Sequence, residues 1–553
     1  MFRSGRQMKL LRVHIISAKT CGGLLDGLDL RLRSPLTEYS AFDPLCLIGP
    51  NGAGKSQFLQ VLAEIFQCVF HRCIGEEERL EGNPDLQFDF EYLIHPDDEQ
   101  LPVRVRISRK ASGRKRPNLI IERRDEEEYE WIDCDLNDPK TRALLPEKII
   151  GYTSGDNETL SLPFLVSRSG YADEVGKRAL NAAMRDQPIP DTRLMLIDYG
   201  THLEVLVANL LLGKAPQREA LLKDAQLQDL HSFRCIVQLA HSAAPKLPSK
   251  KGSQNSRKGV QLTKELEKYL DHLKRCATCY TYEEQTETYT FDYWINDQTR
   301  KAFGDFWNNN TLDLYSSFHK LAMLNDLALS RETRKRFQKE TKERRFASRL
   351  PEPQDEDKVF RFEGVMFKAK RTGKEVGYVS LSDGEHQLGQ ILGTFCMMSS
   401  ANVLFLLDEP ESHFNPLWRV KFISRILDLP TKDGDRRESS KATEQECLLT
   451  THSPFVPSDM HREKVFIFSK DEEGKIQVGN PNIETFGTTF DTIIEQCFNV
   501  RPPISQVALD KIEDLMQSDN PEEIRAGMQQ LGDSVEKAFL ADRLRQLTNR
   551  NGV

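Results

Sequence analysis

The sequence predicts an α/β fold, and three stretches carry that expectation. Leu45-Cys46-Leu47-Ile48 is an apolar run of strand length that leads straight into Gly49-Pro50-Asn51-Gly52-Ala53-Gly54-Lys55-Ser56. Phe58, Leu59, Leu62, Ile65, Phe66 and Val69 follow it at helical spacing. Val403 to Leu407 is a second apolar run, ending in Asp408-Glu409-Pro410. Leu448-Leu449-Thr450-Thr451 is the third, ending in His452-Ser453-Pro454. Each reads as a buried strand that delivers polar residues at its end. A helix with Leu388, Ile391, Leu392 and Phe395 as its apolar residues precedes the second of them.

At 553 residues the chain is too long for one compact core and suggests about two to four domains. Hydrophobic residues make up 39% and charged ones 29%, an ordinary balance for a soluble protein. A net charge of −8 argues against a nucleic-acid binder over the whole surface but leaves room for local basic patches. No apolar run approaches the ~18 residues of a membrane span. The basic start, Met1 to Arg6, leads into no signal-peptide core. Eleven cysteines without a repeating framework read as reduced thiols, which places the chain in a cytoplasm. Cys276-Ala277-Thr278-Cys279 is the only C-x-x-C, and with His272 it makes three of the four ligands a structural zinc needs. A helix-to-strand connection is the plainer account.

Taken in order, residues 8–48 form a β-rich opening, with strands around Leu10–Ile16 and Gly27–Leu32. Residues 86–94 and 103–107 alternate apolar and polar at period two. Nine Lys or Arg residues and one acid, Glu122, lie between Arg104 and Arg124, and an acidic stretch to Asp135 follows. With no aromatic residues interleaved, this reads as a solvated hairpin whose charges pair across strands rather than a phosphate-facing edge. Residues 148–164 read as a strand followed by a polar, turn-rich loop. Arg193–Tyr199 is a further strand and Leu203–Leu212 a helix. Residues 241–262 are a flexible basic loop, and 263–275 are helical. Residues 280–294 are strands rich in Tyr and Thr, 298–349 are helical, and 428–446 are a second polar loop. Arg331 to Arg349 carries nine basic residues and three acids, by default a solvated helix face.

The loop at 49–56 fits the phosphate-binding template G-x-x-x-x-G-K-[ST] in its required setting between strand and helix. Glycines let successive backbone N–H groups turn towards an anion, and the helix N-terminus adds favourable dipole charge. Pro50, Asn51, Gly52, Ala53 and Gly54 would cradle the phosphates of ATP. Lys55 would reach the β- and γ-phosphates, and the Ser56 hydroxyl would hold Mg²⁺. An Asp at a strand end, here Asp408, can hold Mg²⁺, and the adjacent Glu409 can take a proton from an attacking water. Taken singly, an Asp-Glu pair is usually a capped loop and a strand-end His a satisfied polar group. Four such features in order are hard to produce by chance.

Together with Leu381-Ser382-Asp383-Gly384-Glu385, which precedes the apolar helix, this set resembles the ABC-type ATPases of the chromosome-maintenance and DNA-repair class, within the AAA family. The resemblance implies an ABC-ATPase head, a P-loop NTPase. In that family a long insertion separates phosphate loop and signature, and here Ser382 lies 327 positions after Lys55. It also implies that Ser382, Gly384 and Glu385 belong to a signature that closes over the nucleotide of a second copy. Asp408 would be the magnesium-associated residue, Glu409 the catalytic one and His452 the switch histidine. Glu411 to Pro416 would be a dimer-contacting loop. Asp383 and Glu385 depart from the common form Leu-Ser-Gly-Gly-Gln. The family's glutamine loop falls best on Tyr152 to Ser161, which contains no Gln.

Gly151 to Ser161 and Glu484-Thr485-Phe486-Gly487 resemble, more narrowly, the ATPases of Septu anti-phage systems (PtuA), including those that accompany retrons. That resemblance implies an HNH nuclease partner (PtuB-like). In the retron form it also implies a reverse transcriptase with its RNA–DNA product.

The expected organisation is an ATPase head from 1–240 and 355–490, with a flexible loop and mainly helical insertion at 241–354. A helical tail follows at 491–553. The tail carries Ile524, Met528, Leu531, Val535, Phe539, Leu540, Leu544 and Leu547 as one apolar stripe, which wants either its own head or another subunit. The expected function is an anti-phage ATPase that forms a homodimer or higher oligomer on nucleotide and controls a partner nuclease, away from any membrane. A chromosome-maintenance ATPase is the first rival, but no sustained heptads lie between 263 and 349. A self-contained ATP-dependent nuclease is the second, but only 101 residues follow His452 and they show no clustered metal ligands.

Overall fold

The computed structural model describes residues 8–34, 42–96, 99, 101–113, 116–124, 130–155, 158–198, 200–241, 259–343, 353–431, 434–436, 442 and 444–550. Its centre is a seven-stranded sheet. In spatial order the strands are Ile476–Gly479, Val465–Lys470, Leu45–Ile48, Glu446–Thr450, Val403–Asp408, Lys148–Thr153 and Leu194–Ile197. All neighbours run parallel except the first pair, a hairpin. The three apolar runs of the sequence therefore stand side by side. The expected α/β class holds.

Both faces of this sheet are covered, and period-two alternation assigns each side chain to one of two cores. Leu404 and Leu406 belong to a core with the helix Lys55–Cys73. Val403, Phe405 and Leu407 belong to another, with the helices His202–Leu212 and Asp383–Met397. The first core is closed by a six-stranded antiparallel sheet. Its order is Asp29–Arg31, Lys9–Ser17, Gln87–Ile94, Val103–Lys110, Asn118–Arg124 and Ile132–Asp133. The basic run forms the hairpin read from sequence, but its charges pair mainly with a neighbouring strand. Arg104 and Arg106 both reach Glu91, and Lys110 reaches Asp89. An aromatic does take part, since Trp131 lies 4.1 Å from the Arg106 guanidinium. Residues 125–129, which hold most of the acidic stretch, fall outside the described residues.

A five-stranded antiparallel sheet joins Cys279–Glu283, Thr288–Trp294, Leu227–Gln238, Phe360–Ala369 and Glu375–Gly377. It draws strands from both sides of positions 240 and 354. The helices of the insertion, Lys264–Cys276, Asp297–Phe306, Thr311–Met323 and Arg331–Glu343, have 13, 10, 13 and 13 residues. The first three pack in the core shared with the central sheet rather than extending as an arm. His272 stacks on Phe306 at 4.4 Å, and among the described residues no group of three His, Cys, Asp or Glu is placed to hold a metal. Residues 242–258 and 344–350, parts of the two basic stretches, fall outside the described residues, as does much of the second polar loop. No described helix is long and apolar enough to cross a membrane.

Two sequence readings change. The polar loop after Lys148–Thr153 is much shorter than expected, because Thr159 to Phe164 open the helix Glu158–Ala179. Leu160 and Phe164, four apart on that helix, bury together in the first core, and this apolar pair outweighs Pro163 within the helix. The tail does not present one stripe. It folds as Gln506–Gln517, Pro521–Gln530 and Val535–Arg550 around Ile512, Leu515, Ile524 and Leu540. Met528, Leu531, Leu544 and Leu547 pack against that cluster, whereas Val535 and Phe539 are exposed. The turn between the last two helices splits the stripe.

A buried ion cluster fastens the antiparallel sheet to the central one. Arg33 grips both Glu446 oxygens at 2.8 Å, with both side chains removed from water. Glu446 also accepts from the Leu10 N–H at 3.0 Å, and Lys9 donates to the Gln445 carbonyl at 2.8 Å. Burial pushes the Lys9 ammonium down to about 8 against the pull of Glu446. Removing one partner of such a pair strands a buried charge, at a cost of about 3–5 kcal/mol. Arg33 keeps Asp43 at 3.1 Å, so Glu446→Gln should lower unfolding stability by less than that, about 2–3 kcal/mol, in urea titration. A loss below about 1 kcal/mol would show that the cluster does not hold the sheets together.

Candidate functional site

The site forms where three parallel strands end together. Leu45–Ile48 ends at Gly49, whose φ is +139° and whose missing Cβ would stand 2.1 Å from the Phe468 carbonyl oxygen. Only glycine fits there. The chain then turns, with the Ala53 N–H donating to the Pro50 carbonyl at 3.3 Å. The helix begins at Lys55 behind Gly54, which has φ +90° and offers no side-chain cap. The N–H groups of that first turn therefore face the loop with positive dipole charge.

The Lys55 ammonium is buried. It donates to the Gly49 carbonyl at 2.9 Å and the Pro50 carbonyl at 3.2 Å, and lies 3.1 Å from His452 Nε2. Ser56 Oγ donates to Asp408 Oδ1 at 2.9 Å. The same oxygen accepts from Thr450 Oγ1 at 2.6 Å, and Thr450 in turn accepts from the Glu409 N–H at 3.0 Å. These contacts follow from register, since Asp408 and Thr450 are directly opposed in adjacent strands. Glu409 sits at φ +47°, a conformation non-glycine residues seldom adopt and one met at functional sites. Its Oε1 lies 3.3 Å from His452 Nε2, and both side chains are partly open to solvent.

The charges are tuned by burial. Burial raises the Asp408 carboxyl above its ordinary value, opposed by the Thr450 and Ser56 hydroxyls. Burial lowers the Lys55 ammonium, opposed by Glu409 and Asp408. Burial and then the Lys55 charge lower His452, against the pull of Asp408. His452 Nε2 faces both the Lys55 ammonium at 3.1 Å and Glu409 Oε1 at 3.3 Å, and its role as acceptor or donor follows from its tautomer and protonation.

Gly384, Ser382 and Glu385 lie apart from this cluster. Ser382 caps the helix Asp383–Met397, accepting from the Glu385 N–H at 3.4 Å. Glu385 Oε2 accepts from the Ser382 N–H and Oγ, both at 2.8 Å. This reciprocal cap accounts for an acid where the common signature has Gln. A Cβ on Gly384 would stand 2.9 Å from the His413 carbonyl oxygen, so glycine lets the loop after Glu409 close on the helix. Gln387 fixes that loop, donating to Ser412 Oγ at 3.1 Å and accepting from the His413 N–H at 3.0 Å. Neither Ser382 nor Glu385 is bonded to Lys55, Glu409 or His452.

Sequence reasoning gave no role to Thr450 and Thr451, and read Glu411 only as the start of a dimer-contacting loop. Thr451 Oγ1 bonds Glu411 and accepts from the Ser453 N–H at 2.8 Å, setting the turn that carries His452. The two adjacent hydroxyls at the end of an apolar run were the available signal. Their partners depend on strand register, which the sequence does not print.

The donor set fits a nucleoside triphosphate with a hard divalent cation. A hydroxyl and a buried carboxylate stand together at a helix N-terminus, behind a loop cradle that a Cβ would fill. Ser56 and Asp408 would hold the cation, and Gly49 to Lys55 the phosphates.

Residues 285–459 match a family model described as "AAA domain, putative AbiEii toxin, Type IV TA system". The match takes in Ser382, Asp408, Glu409 and His452 and ends before the hairpin, while the phosphate loop lies upstream of it. Among solved structures, the SMC head domain from Thermotoga maritima is similar over 86% of this chain and 100% of its own length. It shares 11% sequence identity with the chain, at a TM-score of 0.31. No curated protein matches the chain. The family match and the site geometry together support a P-loop ATPase of ABC/AAA type.

Burial pushes the Glu411 carboxyl up to about 7, with the Thr451 hydroxyl opposing. A carboxyl raised in the folded state binds its proton more tightly there than in the unfolded chain. Its contribution to stability is therefore present below the ordinary carboxyl range and lost as pH rises towards 7. Glu411→Gln should remove that slope, gaining on the order of 1–3 kcal/mol relative to the native chain between pH 5 and 8. Parallel urea titrations of the two proteins across that range would contradict the burial argument if their difference stayed constant.

Proposed function

We propose that this chain is the ATP-binding and ATP-hydrolysing subunit of an anti-phage defence assembly, which dimerises on nucleotide and controls a partner nuclease of the HNH type. The convergence of Lys55, Ser56, Asp408, Glu409 and His452, from segments up to 397 positions apart, carries the ATPase part. Bound at Ser56 and Asp408, Mg²⁺ would neutralise charge on the β- and γ-phosphate oxygens. Lys55 neutralises the same oxygens from the loop side. Glu409, partly exposed and held by its N–H to Thr450, is aimed to accept a proton from an attacking water. His452 bridges Lys55 and Glu409 and so is placed to register the terminal phosphate.

Sharing of the site between two chains is supported by the exposure of the signature. Ser382 and Glu385 satisfy each other, with Ser382 exposed and Glu385 half-buried. Val379, 92% exposed, lies just before them, and Leu417 and Val420 are exposed just beyond the loop that Gln387 holds. Apolar groups displayed around a polar cap suit a self-complementary contact. The defence role is supported by the Septu-like phrases and is compatible with the toxin–antitoxin description of the matched family model. The short insertion helices favour it over a chromosome-maintenance ATPase with a coiled-coil arm. A retron reverse transcriptase with its RNA–DNA product is the further partner this reading admits.

Lys55→Ala should abolish or strongly weaken ATP binding, and unchanged binding in calorimetry would refute the phosphate-loop assignment. Glu409→Gln should keep ATP binding, lose about 10²–10⁴-fold in hydrolysis, and double in mass on ATP by light scattering. A monomeric ATP-bound variant would count against the shared site. The purified chain should not cleave nucleic acid until its nuclease partner is added. Robust cleavage by this chain alone would replace the controlling role with a self-contained nuclease.

A further inference from the structure

The strand Val465–Lys470 outruns its neighbour in the central sheet. It pairs in parallel with Leu45–Ile48 as far as Ile467, which stands opposite Ile48. On that side Phe468, Ser469 and Lys470 therefore run on beside the phosphate loop instead of beside a strand. Gly49 meets the Phe468 carbonyl, and Gly52 meets Lys470, whose Nζ would lie 3.8 Å from a Cβ at that glycine. Ile476 is the cross-strand partner of Lys470 in the hairpin, and its Cγ1 would lie 3.6 Å from a Cβ on Gly54. Cross-strand partners share one face of a hairpin. That face is seated on the loop, with an apolar side chain at the start of the helix and an ammonium at Gly52.

Lys470 is exposed and, among the described residues, pairs with no carboxylate. Two of the acids that follow it are engaged elsewhere. Asp471 accepts from the Glu473 N–H at 3.0 Å and the Lys475 N–H at 2.8 Å, and Glu473 takes the Lys475 ammonium at 2.8 Å. A lysine stem is flexible and its ammonium is well hydrated, so most exposed lysines point into water. This one is folded back on a loop whose backbone is arranged for anions. Gly52 belongs to the stretch whose N–H groups cradle the α- and β-phosphates in such loops, whereas Lys55 reaches the β- and γ-phosphates. A charge beside Gly52 lies within one Debye length, about 8–10 Å, of a phosphate the loop would hold.

We propose that Lys470 is a second phosphate-binding lysine of the ATP site, attracting the α- and β-phosphates from the hairpin side. The inference rests on the ATP-binding reading of the loop. It assigns Lys470 to charge that ATP and ADP share, and therefore to affinity rather than to bond cleavage. An interaction that is equal in the ground and transition states changes KM and leaves kcat alone. The hairpin, which lies beyond the matched family segment, thereby gains a part in the site.

The full chain is titrated calorimetrically with ATP and with ADP in the presence of Mg²⁺, and steady-state hydrolysis is followed in parallel. Lys470→Ala should weaken both nucleotides by a common factor of about three- to tenfold. KM should rise by a like factor, with kcat held within about twofold. Lys470→Arg should recover most of the loss, and the deficit of Lys470→Ala should shrink as salt is added. Lys475→Ala removes a charge that Glu473 already neutralises on the same hairpin, and it should bind as the native chain does. Unchanged affinity for both nucleotides in Lys470→Ala would overturn the proposal. So would an equal loss in Lys475→Ala, a loss that Lys470→Arg does not recover, or a fall in kcat at constant KM. A native chain that binds no nucleotide would overturn the ATP-binding reading as well. Binding lost in Lys55→Ala but kept in full in Lys470→Ala would overturn this inference alone.

Discussion

Everything at the site turns on one buried carboxylate. Asp408 is 3% exposed, and a carboxylate taken from water needs hydrogen-bond donors in return. It finds two hydroxyls, Ser56 from the phosphate loop and Thr450 from the adjacent strand. Through them it joins the loop to two strands and fixes the depth at which the helix Lys55–Cys73 starts. Thr450 passes the constraint on, because its oxygen also takes the Glu409 N–H and helps hold that residue in its left-handed conformation. The position of the proposed base thus depends on a threonine that touches no expected ligand.

The strands bearing these residues belong to two cores at once. A side chain lost from Leu404 or Leu406 leaves a gap beneath the phosphate-loop helix, and one lost from Phe405 leaves it beneath the signature helix. In a close-packed interior neither gap is absorbed locally, so either change would reach Asp408 along its own strand. The Arg33–Glu446 cluster sits at the opposite end of the neighbouring strand, which is held from both ends.

The sequence made the loop, the strands and the strand-end acids legible because each is a local pattern. A glycine template, an apolar run of strand length and a period of two or 3.6 all lie within a dozen residues. Glu385 was legible only as a departure from a motif, and its reason appeared when the helix cap could be seen. Thr450, Thr451 and Glu411 were opaque because their roles arise from parallel register. Arg334 looked like surface because its neighbours in sequence are charged, whereas its burial is set by Asp173 on a helix over 150 positions earlier. The tail stripe misled for a related reason. Period alone cannot say where a helix stops, and the chain reverses between Gln530 and Val535.

The strand order has a consequence in time. Leu45–Ile48 lies between Glu446–Thr450 and Val465–Lys470, so the phosphate loop's strand has no neighbour in the central sheet until residues 446–450 have been made. Lys55 and His452 are 397 positions apart. At about 5–20 residues per second, a ribosome takes roughly 20–80 s to travel between them. Through that interval the apolar edge of Leu45–Ile48 must be sheltered by the amino-terminal antiparallel sheet or by other proteins. Until His452 has been made, the five residues of the site are not all present, and a nascent chain cannot assemble it.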